Sequence, residues 1–300
     1  GDELFAGYRR YHRAMAVRAA RHLTAIPYAR QTLRACAWPL GNRVRAAARN
    51  LTVDEDHAHY LDVAWFDPRD TIQLLNRDTR RALLGHDPMD VLAEHFARCD
   101  SRDPLARSQY VDIKTWLADG VLCKVDRASM ANGLEVRVPL LDVPFVERMA
   151  TLPPDLKIRR TATRITSKYI LRTAMQPILG TECVSRRKSG FEVPLDAWFT
   201  GPLQPLVADL LLSRDSRIAE WIDTSAVQRI SSQIKLGRRG LGPRLWALLM
   251  LELWSRRHLT AGPAKQADYD SQDTPQTTIA SSGGGAANGQ VIQAAQTQMP

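Results

Sequence analysis

The stretch DIKTWLADGVLCKVDRASMANGLEVRVPLLD, residues 112–142, carries the clearest helical pattern of apolar and polar side chains in this 300-residue sequence. Its first apolar residues, around Trp116, recur at the spacing of one helix face. Asp119 is placed to cap a second helix that runs to about Met130, and Gly133 is expected to end that helix. The stretch therefore predicts two helices followed by a turn.

The end of the stretch, LEVRVPLLD, is predicted to be extended, because Val138 precedes a proline and is pushed towards β geometry. In an extended segment Glu135 and Arg137 point to the same side, and Asp142 follows after a short apolar run. If these charges were buried together they would have to pair. Structural ion pairing is the simpler interpretation of these residues, and a role in a binding site is the alternative.

The segment CKVDRASM raises the same question on a helix. Lys124 and Arg127 are three residues apart and share a helix face, with Asp126 between them in the chain. Such residues fit either a solvated, ion-paired helix surface or a binding surface. The pattern alone leaves both interpretations open.

Outward from this stretch, residues 1–260 are predicted to be predominantly helical and to form one domain. The predicted helices cover residues 3–21, 27–55, 70–85, 166–179 (broken near Pro177), 203–212, 225–236 and 243–259. Residues 261–300 are rich in small polar residues and lack any hydrophobic period. This tail cannot bury enough surface to offset its ordering entropy, so it is predicted to be disordered.

The composition is that of a globular protein, with 44% hydrophobic and 24% charged residues. The formal net charge is +9, and residues 1–50 contain ten arginines. This excess indicates an anionic partner such as nucleic acid or nucleotide phosphates, or else an arginine-rich solvated helix face. No nucleic-acid-binding motif accompanies the arginines, so nucleic acid is the weaker hypothesis.

The four cysteines lie far apart and form no CxxC pair or metal-ligand spacing. They are expected to be buried, reduced thiols of a cytoplasmic protein. The most apolar stretch, LWALLMLEL at residues 245–253, is interrupted by Glu252. It is too short for a membrane span, which needs about 20 apolar residues. We expect a buried helix there and no membrane association.

The segment SRRKSGFEVPLDAWF, residues 185–199, is a candidate phosphate site. Lys188 would act as a mobile point charge suited to polyphosphate, beside the second cation Arg187. Gly190 would let the backbone approach a ligand closely. Taken alone, the segment fits a basic surface loop better than a phosphate site.

The opening, GDELFAGYRRY at residues 1–11, places two acids between a glycine and a predicted helix. Asp2 and Glu3 there would interact favourably with the helix dipole. A carboxylate pair at such a turn could instead hold Mg²⁺ against a nucleotide phosphate.

Taken together and in this order, these segments resemble the synthetase domain of glutamine-hydrolysing asparagine synthetases. GDELFAGYRRY resembles its acidic loop, VLCKVDRASMANGLEVRVPLLD its central signature, LPPDLK and SKYILR its next block, RRKSGFEVPLDAWF its lysine loop, and LWALLMLELW its closing helix. The resemblance runs from residue 1 to about residue 259. It implies the mostly α-helical C-terminal portion of an α/β ATP pyrophosphatase-type (adenine nucleotide alpha hydrolase-like) synthetase domain.

The resemblance also implies a reaction. ATP and Mg²⁺ would activate aspartate as an acyl-adenylate with release of pyrophosphate, and ammonia from glutamine would then give asparagine and AMP. By resemblance Lys188 is the catalytic lysine, and Asp2 is near pyrophosphate and Mg²⁺. The residues expected to bind ATP or pyrophosphate are Asp2, Glu3, Arg187, Lys188 and Gly190. Membership of the signature, with a supporting role, is carried over for Lys124, Asp126, Arg127, Glu135, Arg137 and Asp142. A homodimer of the full-length protein is compatible with the resemblance.

The sequence departs from the family at two points. It lacks an N-terminal glutaminase domain that begins with cysteine, and it lacks a Ser-Gly-Gly-x-Asp-Ser phosphate loop. SSGGGAANG at residues 281–289 has neither the Asp-Ser ending nor a preceding strand. We therefore expect the chain to be a piece of a longer protein and inactive alone. The alternatives are an amidotransferase for another carboxylate and a non-catalytic helical binding module.

Overall fold

A computed structural model describes residues 1–24, 28–37, 42–161, 164–186 and 193–259, and all structural statements refer to these residues. The predicted 261–300 tail and residues 187–192 of the lysine loop lie outside them. The predominantly helical character expected for residues 1–260 is confirmed. The ATP pyrophosphatase-type architecture stays a prediction, since the sheet in the described residues has two strands.

The helices and strands are labelled in chain order. The α-helices are α1 (Arg9–Thr24), α2 (Ala29–Ala37), α3 (Asn42–Leu51), α4 (Glu55–Val63), α5 (Pro68–Leu74), α6 (Arg77–Ala82), α7 (Asp90–Arg98), α8 (Pro104–Asp112), α9 (Cys123–Met130), α10 (Val143–Ala150), α11 (Pro154–Lys157), α12 (Tyr169–Ser185), α13 (Leu195–Thr200), α14 (Gln204–Leu206), α15 (Thr224–Lys235) and α16 (Gly242–His258). Ile113–Leu122 and Val207–Leu211 are π-helical, and Pro139–Leu141 and Arg217–Glu220 are 3₁₀ turns. Strands β1 (Ile158–Arg160) and β2 (Ile165–Ser167) pair antiparallel, with Arg159 opposite Thr166.

The chain divides into two compact units. The first comprises the described residues within 1–64 and 85–190, and the second comprises those within 65–84 and 191–259. The first unit buries two apolar clusters: one joins Ala6 and Tyr11 to Leu105 and Ile158, and the other gathers side chains of α4, α7 and α8 around Phe96. These clusters fix the N-terminal residues against α8 and β1.

The second unit is built around α16. Leu245, Leu248 and Leu249 are buried in its core together with Leu211 and Val227. The helix expected over residues 245–253 is confirmed, but only one of its faces is buried, because Trp246, Leu251 and Leu253 are exposed. None of the helices in the described ranges is long and apolar enough to cross a membrane.

Three helix predictions need correction. The first helix begins at Arg9 rather than Glu3, because Asp2–Ala6 form a turn in which Ala6 has a positive φ of 55°. The helix expected over residues 70–85 is two helices, because Leu75 leaves the helical path to bridge Ile222. Asp119 caps nothing, since it lies inside a continuous helical segment that links α8 to α9 through π-helical turns.

Two glycines end or bend helices of the first unit. The end of α9 near Gly133 is confirmed, and that residue has a φ of 67°. The break expected near Pro177 lies at Gly180, where φ is 75° and ψ is 161°. The helix α12 accommodates Pro177 without a break at that residue. The bend lies at Gly180 because glycine readily adopts a positive φ.

The cysteines are free thiols, as predicted. Their expected burial is wrong for Cys36 and Cys183, which are exposed on α2 and α12, while Cys99 and Cys123 are half-buried. The two exposed thiols occupy helix positions that face solvent.

Candidate functional site

The acidic opening forms a closed turn. The Gly7 amide donates to the Asp2 carbonyl over 2.7 Å, and the Phe5 amide donates to the Gly1 carbonyl over 3.1 Å. Ala6 takes a left-handed conformation, with φ of 55°, that L-residues adopt at some energetic cost. Residues 2–7 are called the acidic loop below. The two backbone hydrogen bonds stabilise one conformation of this loop.

The Asp2 carboxylate lies over Gly7 and meets a lysine from elsewhere in the chain. Lys168 Nζ is 3.0 Å from Asp2 Oδ1, and the two side chains are 25% and 26% exposed. The Lys168 amide also donates to the Phe5 carbonyl over 3.0 Å. Lys168 has a φ of 55° and stands immediately before α12. The start of α12 is thereby tied to the acidic loop by a backbone bond and an ion pair.

Gly7 is required by this arrangement. A Cβ at that position would lie 2.9 Å from Asp2 Cγ and 2.5 Å from Lys168 Cε, and closer still to the carboxylate oxygen. The loop therefore presents the Asp2 carboxylate at a place that is open because residue 7 has no side chain.

A buried polar pair supports the loop from below. Gln109 on α8 donates its amide nitrogen to the carbonyls of Glu3 and Leu4, the latter over 3.1 Å. Lys157 Nζ donates to Gln109 Oε1 over 3.0 Å. Burial of Lys157 lowers the pKa of its ammonium group, against the opposing pull of Asp103. The sequence analysis missed Gln109 and Lys157 in this role; LPPDLK gave the only signal, as a block of the family resemblance.

Glu3 points into the protein. It is 3% exposed, and the Tyr8 hydroxyl donates to Glu3 Oε1 over 2.6 Å. Trp116 Nε1 donates to the same hydroxyl over 3.1 Å, and the Arg10 guanidinium lies 4.0 Å from the Tyr8 ring centre. Burial, together with the Glu3 carboxylate, raises the pKa of Tyr8. These contacts favour a role for Glu3 in holding the loop, and its expected contact with pyrophosphate stays a prediction.

Asp112 anchors α1 beneath the loop. Its carboxylate accepts from Tyr11 over 2.5 Å and from Arg10 over 2.8 Å, and His59 Nε2 lies 3.2 Å away. Burial opposes ionisation of Asp112, but the His59, Arg10 and Tyr11 contacts outweigh it and lower the pKa of the carboxyl group. Asp112 is therefore a buried carboxylate fully enclosed by donors, which makes it a structural centre rather than a reacting group.

Three of the predicted phosphate-binding residues belong to the lysine loop. Arg187, Lys188 and Gly190 lie outside the described residues. Their expected contacts with ATP and pyrophosphate, and the catalytic role of Lys188, stay predictions.

The signature residues lie on the surface of the described structure. Lys124, Asp126 and Arg127 are exposed on α9, which confirms the helix but not a buried cluster. Glu135 and Arg137 form an ion pair with each other, as the simpler interpretation predicted, and both are exposed. They belong to residues 134–138, which have no regular secondary structure and are exposed. The two charges therefore pair at the surface and not in a buried cluster. Asp142 is exposed just before α10.

A magnesium role for Asp2 can be tested against its surroundings. In the parts of the chain that the structure describes, no group of three or more His, Cys, Asp or Glu side chains could hold a metal ion. Mg²⁺ is commonly bound through one or two carboxylates together with substrate phosphates, and it keeps several waters. The partly exposed Asp2 carboxylate fits such a site, in which phosphate oxygens would supply most of the ligands.

Comparison with known proteins supplies the family context. The family model described as asparagine synthase matches residues 1–256. A protein of Mycobacterium tuberculosis, provisionally named a glutamine-hydrolyzing asparagine synthetase, is 32% identical over 262 residues, which is 84% of this chain and 37% of that protein. Asparagine synthetase (glutamine-hydrolyzing) 1 of Bacillus subtilis is 26% identical, over 84% of this chain and 38% of its own length.

The chain is also similar, over a shorter stretch, to a protein that is not named an asparagine synthetase. A Gibberella zeae protein named amidase chry2 is 29% identical over 128 residues, covering 42% of this chain and 19% of that protein. No solved structure matches the chain at a significant level. The chain thus spans a little over a third of the length of the asparagine synthetases that it matches.

Proposed function

The chain belongs to the asparagine synthase family, and from this membership we propose that it forms part of an ATP-dependent amide synthetase. The observation that carries the proposal is the family match over residues 1–256, supported by two relatives named asparagine synthetases that each cover 84% of the chain. Glutamine-derived ammonia is the proposed nitrogen source because those relatives carry the words glutamine-hydrolyzing in their names.

The proposed reaction has two steps. A side-chain carboxylate oxygen of aspartate attacks the α-phosphorus of ATP, which forms an acyl-adenylate and releases pyrophosphate. Ammonia then attacks the acyl carbon, and the carbon–oxygen bond to AMP breaks to give asparagine. Both steps move negative charge onto phosphate oxygens, so preorganised cations are the expected catalytic groups.

Within this reaction, residues of the chain have separate proposed tasks. Lys188 donates from Nζ to an oxygen of the α-phosphate or the leaving pyrophosphate, with Arg187 beside it and Gly190 allowing close approach of the backbone. From the acidic loop, the Asp2 carboxylate would hold the Mg²⁺ that accompanies the pyrophosphate. Bound Mg²⁺ would neutralise charge on the phosphate oxygens.

The contacts of the acidic loop support the task given to Asp2. Its carboxylate forms an ion pair with Lys168, and the missing side chain of Gly7 leaves the space that the carboxylate occupies. Glu3 and Gln109 fix the loop backbone from inside. A carboxylate on a loop braced at this many points can stay in place as the charge on its ligand changes.

Transfer of ¹⁸O from labelled aspartate to AMP, catalysed by the full-length protein, tests this proposal. The protein is incubated with ATP, Mg²⁺, ammonium and aspartate labelled with ¹⁸O in its side-chain carboxylate. The proposal predicts asparagine, pyrophosphate and AMP that carries one ¹⁸O, because the attacking oxygen leaves with AMP. Formation of ADP and phosphate instead would show a different activation chemistry and refute the proposal.

A second candidate is amidation of another carboxylate on the same scaffold. The observation that favours it is the similarity to amidase chry2, whose name does not refer to asparagine. A panel of carboxylic acids replaces aspartate in the ¹⁸O experiment. Label transfer to AMP with one of these acids, and not with aspartate, would assign this function. Absence of nucleotide turnover with every acid would favour the non-catalytic binding module.

A further inference from the structure

The second unit contains an open cleft of about 260 Å³ between α5, α15 and α16. The buried apolar side chains of Leu74, Ala226 and Leu241 form one part of its lining, here called the floor, while polar atoms make up more of the exposed surface of the cleft than apolar atoms do. Its rim is cationic, with three arginines against one aspartate among the described residues that line it. A pocket with an apolar floor and convergent charged groups at its edge is suited to a small amphipathic ligand.

The three arginines are not equivalent. Arg244 is neutralised, since it pairs with Asp70 and donates from Nε to the Trp65 carbonyl over 2.9 Å. Arg229 donates instead to the neutral Ser225 hydroxyl over 2.9 Å, and Arg238 to Gln233 Oε1 over 2.9 Å. Each of these two guanidinium groups hydrogen-bonds to a neutral acceptor and retains further N–H donors, although Arg229 also interacts electrostatically with Asp223 at the start of α15.

The backbone brings these two charges to the same edge. Gln233 follows Arg229 by one turn of α15, which places the two side chains on one helix face. After α15 the chain reverses through Gly237, whose φ is 83°. The amides of Gly237 and Arg238 donate to the carbonyls of Ile234 and Gln233, the pattern of a Schellman cap. This cap turns Arg238 back towards Gln233.

We propose that this cleft binds the phosphate group of a small organic phosphomonoester, with its organic part on the apolar floor. A phosphomonoester carries roughly two negative charges near neutral pH, which match the charges of these two guanidinium groups. Arginine forks pair with phosphate oxygens through two parallel N–H bonds. The inference goes beyond the proposed function, since no residue assigned to the synthetase reaction lines the cleft.

Phenyl phosphate is a direct probe, because it joins a phosphomonoester to a flat apolar body. Its binding to the full chain is measured by isothermal titration calorimetry at low salt, beside benzoate, which offers the same ring with a carboxylate. The test variants are Arg229→Gln and Arg238→Gln, which remove one charge each from an exposed side chain. Arg239→Gln is the matched control, because it removes the same charge from the next residue, which does not line the cleft.

The proposal predicts saturable binding of phenyl phosphate and weaker binding of benzoate. Each of the two test variants should weaken the phosphate affinity by about tenfold or more, since each removes a charge-assisted contact. Arg239→Gln should leave the affinity within about twofold, because a solvated charge outside the site is screened.

Three results would overturn the proposal. They are no saturable binding of phenyl phosphate, equal losses in Arg238→Gln and Arg239→Gln, and benzoate binding as tight as that of phenyl phosphate. Loss of binding in Lys188→Ala would move the phosphate site to the lysine loop and would also overturn it. None of these outcomes depends on amide synthesis, so failure here leaves the proposed function standing.

Discussion

The Asp2 carboxylate lies 3.0 Å from the Lys168 ammonium group, and the two side chains meet over the backbone of Gly7. The two residues are 166 positions apart in the sequence. They can meet here because Gly7 has no side chain to occupy the space between them. The acidic loop is therefore defined by a long-range contact as much as by its own turn. This arrangement leads to the first prediction.

Gly7→Ala should separate activity from stability. The new Cβ displaces the Asp2 carboxylate and the Lys168 side chain, so amide synthesis should fall by about 10- to 100-fold. The lost ion pair is partly exposed, so the free energy of unfolding should fall by only about 1 kcal/mol. Synthesis assays and urea denaturation measure the two quantities.

Gly120→Ala is the matched control for this prediction. A Cβ at Gly120 would make an ordinary contact, 3.6 Å from the Trp116 ring. Both activity and stability should be unchanged or slightly raised, because alanine is the better helix residue. Equal behaviour of the two variants would contradict the role given to Gly7.

Tyr11→Phe should destabilise the fold through Asp112. The variant removes a 2.5 Å hydrogen bond to a buried carboxylate without changing the packing of the ring. The free energy of unfolding should fall by about 1.5–3 kcal/mol, the range for a hydrogen bond to a charged group. Tyr110→Phe, which deletes the hydroxyl of a half-buried tyrosine on α8, is the control and should change it by less than about 0.5 kcal/mol. A smaller loss for Tyr11→Phe than for Tyr110→Phe would argue against this network.

Glu252→Gln should reveal a second buried carboxylate, in the core of the other unit. Glu252 accepts from the amides of Arg217 and Ile218 over 3.0 and 2.9 Å and from Arg256 over 2.5 Å. Burial opposes its ionisation, but these donors outweigh burial and lower the pKa of the carboxyl group below its usual 4.5. The free energy of unfolding should fall by about 2–4 kcal/mol near pH 7, since glutamine leaves donors unmatched.

The pH dependence of that loss has a definite sign. Because the folded-state pKa of Glu252 is lowered, its contribution is complete above about pH 4.5 and disappears as the pH falls through the folded-state pKa. The difference between the wild type and Glu252→Gln should therefore shrink in acid. The exposed Glu220→Gln is the control and should change stability by less than about 0.5 kcal/mol. A constant difference across this pH range would mean that the Glu252 charge is not the cause.

Local patterns predicted the parts of the fold that depend on local spacing. The period of apolar residues located α15 and α16, and the turn at Gly133 followed from its freedom to take a positive φ. The ion pair of Glu135 with Arg137 followed from their separation by two residues. Each of these features is decided by residues within a few positions of one another.

Long-range contacts were beyond such patterns. Gln109 reaches the carbonyls of Glu3 and Leu4 across more than 100 positions, and nothing near Gln109 in the sequence indicates its target. Leu75 leaves its helix to bridge Ile222, and the local sequence does not indicate that partner, although the Asn76 cap of α6 is a local signal for a new helix. The acidic pair at residues 2 and 3 was visible, but its division into a presented Asp2 and a buried Glu3 required the packed structure.

Lys188 is the proposed donor to the phosphate oxygens of ATP in amide synthesis. The variant Lys188→Ala of the full-length protein tests this role most directly. The measurement is the rate of AMP and asparagine formation from ATP, aspartate and ammonium, with thermal unfolding followed in parallel. Arg186→Ala, which removes an exposed cation two residues earlier, is the matched control. We expect Lys188→Ala to reduce synthesis to background with unchanged thermal unfolding, while Arg186→Ala stays active. Synthesis by Lys188→Ala at the wild-type rate would contradict it.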